Sequence, residues 1–295
     1  MKKVIFKGAG VALITPMNSD GSVNYETLEN LIEFQIKNGT DAIISCGTTG
    51  ESATLSPEEK REVIRFTIKQ VAGRIPVIAG TGSNNTEHAL RSSIEAEDLG
   101  ADGLLIVTPY YNKTSQSGII KHYETIANKV STPIILYNVP SRTGLNIKPE
   151  TCLKLSEHPN ICAIKEASGD ISSVAKIAAL CKNNLSIYSG NDDQIVPVLS
   201  LGGIGVISVF SNICPKECHN IVKEYLEGNA EESKNLQLKY LDLMNAMFCD
   251  VNPIPVKEAV NLMGYHAGNC RLPLDKLSST NQTHIENIMK RFSLI

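Results

Sequence analysis

Eight short runs of apolar, often β-branched residues recur along the chain at a nearly regular interval. Each run is almost continuously apolar instead of alternating with polar residues, which is typical of parallel strands covered on both faces. The eight predicted strands are Val11–Thr15, Ala42–Cys46, Pro76–Ala79, Gly103–Thr108, Pro133–Asn138, Cys162–Lys165, Leu185–Ser189 and Gly205–Val209.

Helical patterns separate these strands. Ser56–Glu59 has the sequence of a capping box with proline at the first helical position, and Asn84–Glu87 opens a helix in the same manner. Asp170, Asp192 and Pro215 precede further predicted helices. Strand and helix alternating eight times predict an α/β fold, a (β/α)8 TIM barrel, over residues 1–228. A doubly wound sheet is less well supported, because no G-x-G-x-x-G follows the first strand.

The end of the chain has a different pattern. From residue 229 onward no strand pattern is found, and three segments with helical periodicity follow one another. We therefore predict a C-terminal helical extension over residues 229–295 that packs on the barrel or on another subunit. Its three predicted helices are Leu236–Phe248, Val256–Met263 and His284–Phe292.

Composition excludes several classes of partner. In 295 residues, 28 lysines and arginines nearly balance 31 aspartates and glutamates, aromatic residues make up 5%, and tryptophan is absent. A near-neutral chain with few aromatic side chains argues against nucleic acid or an anionic membrane surface as a partner. No apolar stretch approaches the roughly 18 residues of a membrane span, and Lys7 interrupts the only candidate signal core.

The eight cysteines lie scattered in apolar stretches. Cys214 and Cys218, with His219 beside them, come nearest to a zinc motif, but a zinc site needs further well-placed ligands. Reduced cysteines in a cytoplasmic protein are the preferred interpretation.

The chemistry of such a barrel is expected where the strands end. None of the six histidines lies at a predicted strand end, so metal hydrolysis and histidine-based proton transfer lose their usual ligands and bases. The sequence also lacks a G-x-S-x-G elbow, a phosphate-binding loop of the Walker type and an EF-hand pattern.

A lysine does lie at a strand end. Lys165 closes the apolar run Ile161–Lys165, and burial lowers the pKa of a lysine amine by as much as several units. A neutral amine is the nucleophile that forms a Schiff base with a carbonyl substrate. The alternative is a structural ion pair, although the adjacent Glu166 should point to the opposite face of the strand.

Two other strand ends carry groups that suit the same chemistry. Tyr137 is a candidate proton shuttle or a core tyrosine, and the Thr48-Thr49 turn offers backbone N–H groups to a small carboxylate. Arg142 could hold a second carboxylate through two hydrogen bonds or be an ordinary surface arginine.

At these residues the sequence resembles the dihydrodipicolinate synthases, members of the pyruvate-dependent class I aldolase superfamily that includes N-acetylneuraminate lyase. The resemblance covers the whole chain. The lyase branch usually has serine at the position of Thr49 and lacks the segment 141–144. The segments that carry the resemblance are Gly47–Glu51, Val107–Asn112, Tyr137–Gly144, Lys165–Asp170, Gly205–Val209 and Asn252–Lys257.

The resemblance implies a role for each matching residue. Lys165 would form an imine with pyruvate, whose enamine attacks L-aspartate 4-semialdehyde, with no metal and no separate cofactor. Thr48, Tyr137 and Tyr111 would relay protons, Tyr111 acting in the site of a neighbouring subunit of a homodimer or a dimer-of-dimers tetramer. The other implied assignments are Thr48 and Thr49 for the pyruvate carboxylate, Arg142 for the semialdehyde carboxylate, and Gly190 and Ile207 lining the pocket beside Lys165.

The chain departs from this pattern at the regulatory site of lysine-inhibited members. Where those members have histidines and a glutamate, this chain has Pro57, Lys60 and His88. We therefore expect weak or absent inhibition by lysine. Two other functions stay open at this point: a lyase or aldolase of the same superfamily that acts on N-acetylneuraminate or a 2-keto-3-deoxy sugar acid, and a catalytically silent barrel that only binds a small ligand.

Overall fold

The computed structural model describes residues 2–295 and contains a closed barrel of eight parallel strands. Each strand pairs with its neighbour in sequence, and β8 pairs with β1 to close the barrel. The predicted (β/α)8 fold class is confirmed. The strands are β1 Gly8–Ala12, β2 Ala42–Ser45, β3 Val77–Gly80, β4 Gly103–Val107, β5 Ile134–Asn138, β6 Ile161–Glu166, β7 Ser186–Ser189 and β8 Gly205–Ser208.

The first strand begins earlier than predicted. It spans Gly8–Ala12, whereas the apolar pattern placed it at Val11–Thr15. Close packing explains the glycine that begins it: a Cβ on Gly8 would lie 2.0 Å from the Asp41 carboxylate. Its register partner in β8, Gly205, is equally constrained, since a Cβ there would lie 2.1 Å from the Gly8 carbonyl oxygen. The strand pair that closes the barrel therefore needs residues that carry no hydrophobic signal.

Helices connect the strands, and several begin as predicted. Ser56 Oγ accepts from Glu59 N at 3.1 Å while Ser56 N donates to Glu59 Oε2 at 2.9 Å, so the capping box is confirmed. The α-helices are α1 Tyr25–Lys37, α2 Pro57–Val71, α3 Thr86–Asp98, α4 Gln116–Ala127, α5 Pro140–Thr143, α6 Pro149–Leu155, α7 Ile171–Cys181, α8 Ile195–Ser200, α9 Pro215–Leu226, α10 Ala230–Ala246, α11 Ile254–Leu262 and α12 Ser279–Arg291.

Apolar and aromatic side chains fill the barrel interior at the N-terminal ends of the strands. Phe6 stacks on Tyr188 with ring centroids 4.4 Å apart, and the Tyr188 hydroxyl donates to the Phe6 carbonyl at 2.7 Å. Phe6 precedes β1, so this pair closes the N-terminal end of the barrel. The polar groups at the other end, where the strands finish, are left to form the site.

The C-terminal helices pack on the barrel helices. Leu243 of α10 and Ile285 and Met289 of α12 are fully buried and belong to the same hydrophobic core as the outer faces of the strands. The C-terminal helices thus share one continuous hydrophobic core with the barrel. Among the helices of residues 2–295, none combines the length and apolarity that crossing a membrane requires.

The segment with two cysteines is part of the core. Cys214 and Cys218 are buried at the start of α9, while His219 Nδ1 lies 2.8 Å from Asp41 Oδ2. All eight cysteines are free thiols. Within residues 2–295 no group of three or more histidine, cysteine, aspartate or glutamate side chains is placed to hold a metal ion.

Candidate active site

Lys165 and Tyr137 face each other across two neighbouring strands. They are register partners in β6 and β5, and Lys165 Nζ lies 4.5 Å from the centroid of the Tyr137 ring. Only 5% of Lys165 and 7% of Tyr137 are exposed. Glu166 points the other way, accepting from Asn138 Nδ2 at 2.8 Å and from Ser168 N at 2.6 Å. The amine of Lys165 is therefore not used in an ion pair with its neighbour in sequence.

Burial is the main influence on the pKa of the Lys165 amine. It lowers the pKa of Lys165 to about 8; the Asp192 carboxylate opposes this shift, and the Arg142 guanidinium lowers the pKa further. A lysine at its ordinary pKa is almost entirely protonated at neutral pH, whereas this one has an appreciable neutral fraction. The amine is thus prepared for attack on a carbonyl carbon.

The same surroundings shift the pKa of the Tyr137 phenol. Burial raises the pKa of Tyr137, while Arg142 and a hydrogen bond with Thr48 lower it. A phenol in contact with a hydroxyl, beside a reactive amine, has the arrangement of a proton shuttle.

The turn after β2 supplies backbone donors. Its first and last residues, Cys46 and Glu51, both have φ of 55°, and a Cβ on Gly80 would lie 2.2 Å from the Cys46 carbonyl oxygen. Glycine at that position lets β3 come close to the turn. Within residues 2–295 no backbone carbonyl accepts from the N–H of Thr48 or Thr49. Two adjacent N–H groups are therefore available to a carboxylate.

A cavity of about 310 Å³ lies against this turn. Thr48 and Arg142 line it together, and Arg142 Nη2 donates to the Asn252 carbonyl at 3.1 Å. A smaller cavity of about 30 Å³ is lined by Thr48 and Tyr137. Thr48 borders both cavities, so it connects the neighbourhood of the amine with the neighbourhood of the guanidinium.

Gly190 packs against the lysine side chain. A Cβ on Gly190 would lie 3.1 Å from Lys165 Cε and 2.6 Å from Ala167 Cβ, so only glycine fits there without displacing the lysine. Ile207 is fully buried in the barrel interior, in the same apolar cluster as Tyr137.

Tyr111 is not brought into the site within one chain. It is 90% exposed, and its φ of 69° lies in the left-handed region, which is uncommon for an aromatic residue. Its neighbour Tyr110 lines the larger cavity. Two of the residues predicted to act together, Thr48 and Tyr137, are close, and the third projects from the surface.

Two residues near the site were not predicted to be part of it. A helical segment does follow Asp192, but the buried Asp192 carboxylate accepts from Val209 N at 3.1 Å and Phe210 N at 2.8 Å instead of capping that segment. Asn252 contacts both Thr49 and Arg142. Asp192 follows the end of β7, which is the signal that could have found it, whereas Asn252 lies far from any strand.

Comparison with known proteins identifies the family of this chain. The model of the Dihydrodipicolinate synthetase family matches residues 5–292. The chain belongs to the dihydrodipicolinate synthetase family. The resemblance seen in the sequence is confirmed, and with it the prediction of an enzyme of the dihydrodipicolinate synthase type.

Relatives and solved structures of the dihydrodipicolinate synthetase family agree over nearly full length. A 4-hydroxy-tetrahydrodipicolinate synthase of Caldicellulosiruptor saccharolyticus is 61% identical over 278 residues, 94% of each chain. One of Clostridium perfringens is 56% identical over 291 residues, 99% of this chain and 100% of the relative. The crystal structure of the dihydrodipicolinate synthase from Thermotoga maritima has a TM-score of 0.97 at 41% identity and covers 99% and 100% of the two chains.

Proposed function

We propose that this chain acts as a 4-hydroxy-tetrahydrodipicolinate synthase, condensing pyruvate with L-aspartate 4-semialdehyde through an imine on Lys165. The buried Lys165 amine, with its pKa lowered to about 8 and its Nζ 4.5 Å from the centroid of the Tyr137 ring, is the observation that carries the proposal. The full-length similarity to synthases of this name supports the choice of substrates.

The reaction begins at the amine. Neutral Lys165 adds to the keto carbon of pyruvate, and loss of water gives the iminium. Removal of a proton from the methyl carbon gives the enamine, which forms a carbon–carbon bond to the aldehyde carbon of the second substrate. Attack of the substrate's own amino group on the imine carbon closes the ring and releases Lys165, giving 4-hydroxytetrahydrodipicolinate. The lysine serves as the covalent group, so the proposal includes no separate cofactor.

Two groups of donors separate the two substrates. The free N–H groups of Thr48 and Thr49 bind the pyruvate carboxylate, and Arg142 binds the carboxylate of the semialdehyde. Thr48 and Tyr137 carry protons between the reacting carbons and solvent. Gly190 and Ile207 form the wall beside the imine.

The third member of the relay comes from a second copy of the chain. Tyr111 is 90% exposed and follows Tyr110, which lines the larger cavity, so a partner packed on this face can receive its hydroxyl. We therefore propose a homodimer, or a dimer of dimers, as the active form. The free thiols support a reducing compartment such as the cytoplasm.

The experiment that tests the function compares two assays on one preparation. Condensation of pyruvate with L-aspartate 4-semialdehyde should be fast, while cleavage of N-acetylneuraminate and of 2-keto-3-deoxy sugar acids should be at background. The Arg142 loop supports the first activity, because its guanidinium lines the cavity beside the Thr48-Thr49 turn and is a suitable partner for a second carboxylate. Efficient cleavage of either sugar acid would overturn the assignment, and no turnover in any assay would favour a binding protein.

Imine formation should depend on pH in a defined direction. Because the pKa of Lys165 is lowered to about 8, the neutral amine increases with pH up to that value and then levels off. We expect the initial rate of reductive trapping with pyruvate to rise about tenfold between pH 6 and pH 7 and to change little above pH 9. A rate that keeps rising tenfold per unit to pH 10 would show an ordinary lysine.

Inhibition by lysine should be weak or absent. The larger cavity contains the amine of Lys60, whose pKa burial lowers, and this amine has no carboxylate within ion-pair distance among residues 2–295. A cationic side chain repels the ammonium of an incoming lysine. A titration of the condensation assay should show no strong inhibition at sub-millimolar lysine. The triple variant Pro57→His/Lys60→His/His88→Glu should gain some, and strong inhibition of the unaltered enzyme would refute the expectation.

A further inference from the structure

The C-terminal extension reaches both proposed carboxylate sites through one residue. Asn252 lies between α10 and α11 and is 5% exposed. Its side-chain Nδ2 donates to Thr49 Oγ1 at 3.0 Å, and its backbone carbonyl accepts from Arg142 Nη2 at 3.1 Å. One buried residue therefore contacts the Thr48-Thr49 turn, where pyruvate is proposed to bind, with its side chain, and it contacts Arg142 with its backbone.

A buried ion pair anchors this segment to the same turn. Lys257 Nζ lies 2.6 Å from Glu51 Oε1, with 2% and 1% of the two side chains exposed. Lys257 Nζ also donates to the Asn269 carbonyl at 2.9 Å, and Glu51 Oε2 accepts from Arg271 N at 2.8 Å. The turn that binds pyruvate is thus attached to the extension at Thr49 and at Glu51, which limits how far either can move relative to the other.

We propose that Asn252 is a positioning residue that orients the Thr49 hydroxyl toward the pyruvate carboxylate. A hydroxyl has one hydrogen to donate and can also accept. Because the Thr49 oxygen accepts from the Asn252 amide, its own hydrogen is left for a ligand. The carboxylate of pyruvate, held by the backbone N–H groups of the same turn, is the acceptor in reach. This inference rests on the proposed function and adds to it a residue that acts on pyruvate through Thr49.

The direction of the hydrogen bond gives the inference its test. In Asn252→Asp, a carboxylate of the same shape accepts the Thr49 proton and places a negative charge near the pyruvate carboxylate. In Asn252→Ala, the Thr49 hydroxyl loses its partner but keeps its proton. We therefore expect Asn252→Asp to be the more damaging variant, although it is closer to asparagine in size.

The kinetics separate positioning from general damage. In a two-stage reaction that passes through an imine, kcat/KM for each substrate reports on its own stage. Asn252→Asp should lower kcat/KM for pyruvate by about 10- to 100-fold, as expected for hydrogen bonds to a charged group, and Asn252→Ala by less. The value for the semialdehyde should change less than about twofold, because Arg142 contacts only the backbone of Asn252. Asn30→Asp, which adds the same charge on the exposed face of α1, is the matched control and should match the unaltered enzyme.

A double-mutant cycle covers the case in which Asn252→Asp does not fold. Thr49→Val removes the hydroxyl, so adding Asn252→Ala to it should cost little more for pyruvate. Equal losses for both substrates, a larger loss in Asn252→Ala than in Asn252→Asp, or full additivity in the cycle would each overturn the positioning role. If the unaltered enzyme forms no adduct with pyruvate, the proposed function itself fails, so the two failures are distinguishable.

Discussion

Replacing Lys165 with alanine is expected to lower kcat for condensation by about 10⁴-fold or more. The side chain supplies the covalent link to pyruvate, and without it the enamine does not form. The fold should persist, because Lys165 forms no ion pair with any side chain of residues 2–295 and alanine leaves the strand β6 hydrogen bonds in place. The measurement is the steady-state condensation rate, with circular dichroism to show that the variant is folded.

Lys176→Ala is the matched control for this variant. Lys176 is an exposed lysine of α7, and its loss should leave kcat unchanged. Lys165→Arg is expected to be as inactive as the alanine variant, because a guanidinium keeps its proton at any working pH. A Lys165→Ala enzyme that retains a tenth of its activity would show that another group carries the chemistry.

Replacing Lys257 with methionine is expected to lower the free energy of unfolding more than any other substitution proposed for this protein. The methionine has a similar length but no charge, so Glu51 becomes a buried carboxylate without its cation. Removing one partner of a buried ion pair costs about 3–5 kcal/mol. Unfolding in urea at a fixed protein concentration measures the loss, since an assembly makes the midpoint depend on concentration.

Two further variants make this prediction specific. Glu51→Gln/Lys257→Met removes both charges and should recover most of the stability, because no buried charge is left uncompensated. Lys234→Met breaks a surface pair with Glu231, whose side chains are 48% and 77% exposed, and should change the free energy of unfolding by less than about 1 kcal/mol. A double variant less stable than Lys257→Met would contradict this explanation.

The parts of the site that follow strands were predictable. The carboxyl ends of parallel strands meet at one face of a barrel, so a lysine and a tyrosine at the ends of consecutive strands are expected to be neighbours. Lys165 and Tyr137 are register partners for this reason. The resemblance to a family added roles for Arg142, Gly190 and Ile207 that the strand pattern alone left open.

The remaining features depend on contacts between distant segments. Asn252 reaches Thr49 across 203 residues of sequence, and no periodicity announces that contact. The start of β1 was hidden because glycines carry no hydrophobic signal where the barrel closes. Tyr111 projects into solvent from a single chain, so its role depends on a second copy.

Reductive trapping tests the central claim most directly. The unaltered enzyme is incubated with pyruvate and borohydride, digested, and its peptides are analysed by mass spectrometry. The proposal predicts an N-(1-carboxyethyl) group on Lys165 alone. The group should be absent when pyruvate is omitted and absent from the Lys165→Ala variant. An adduct on Lys257 or any other lysine, or no adduct while condensation proceeds, would contradict the imine mechanism.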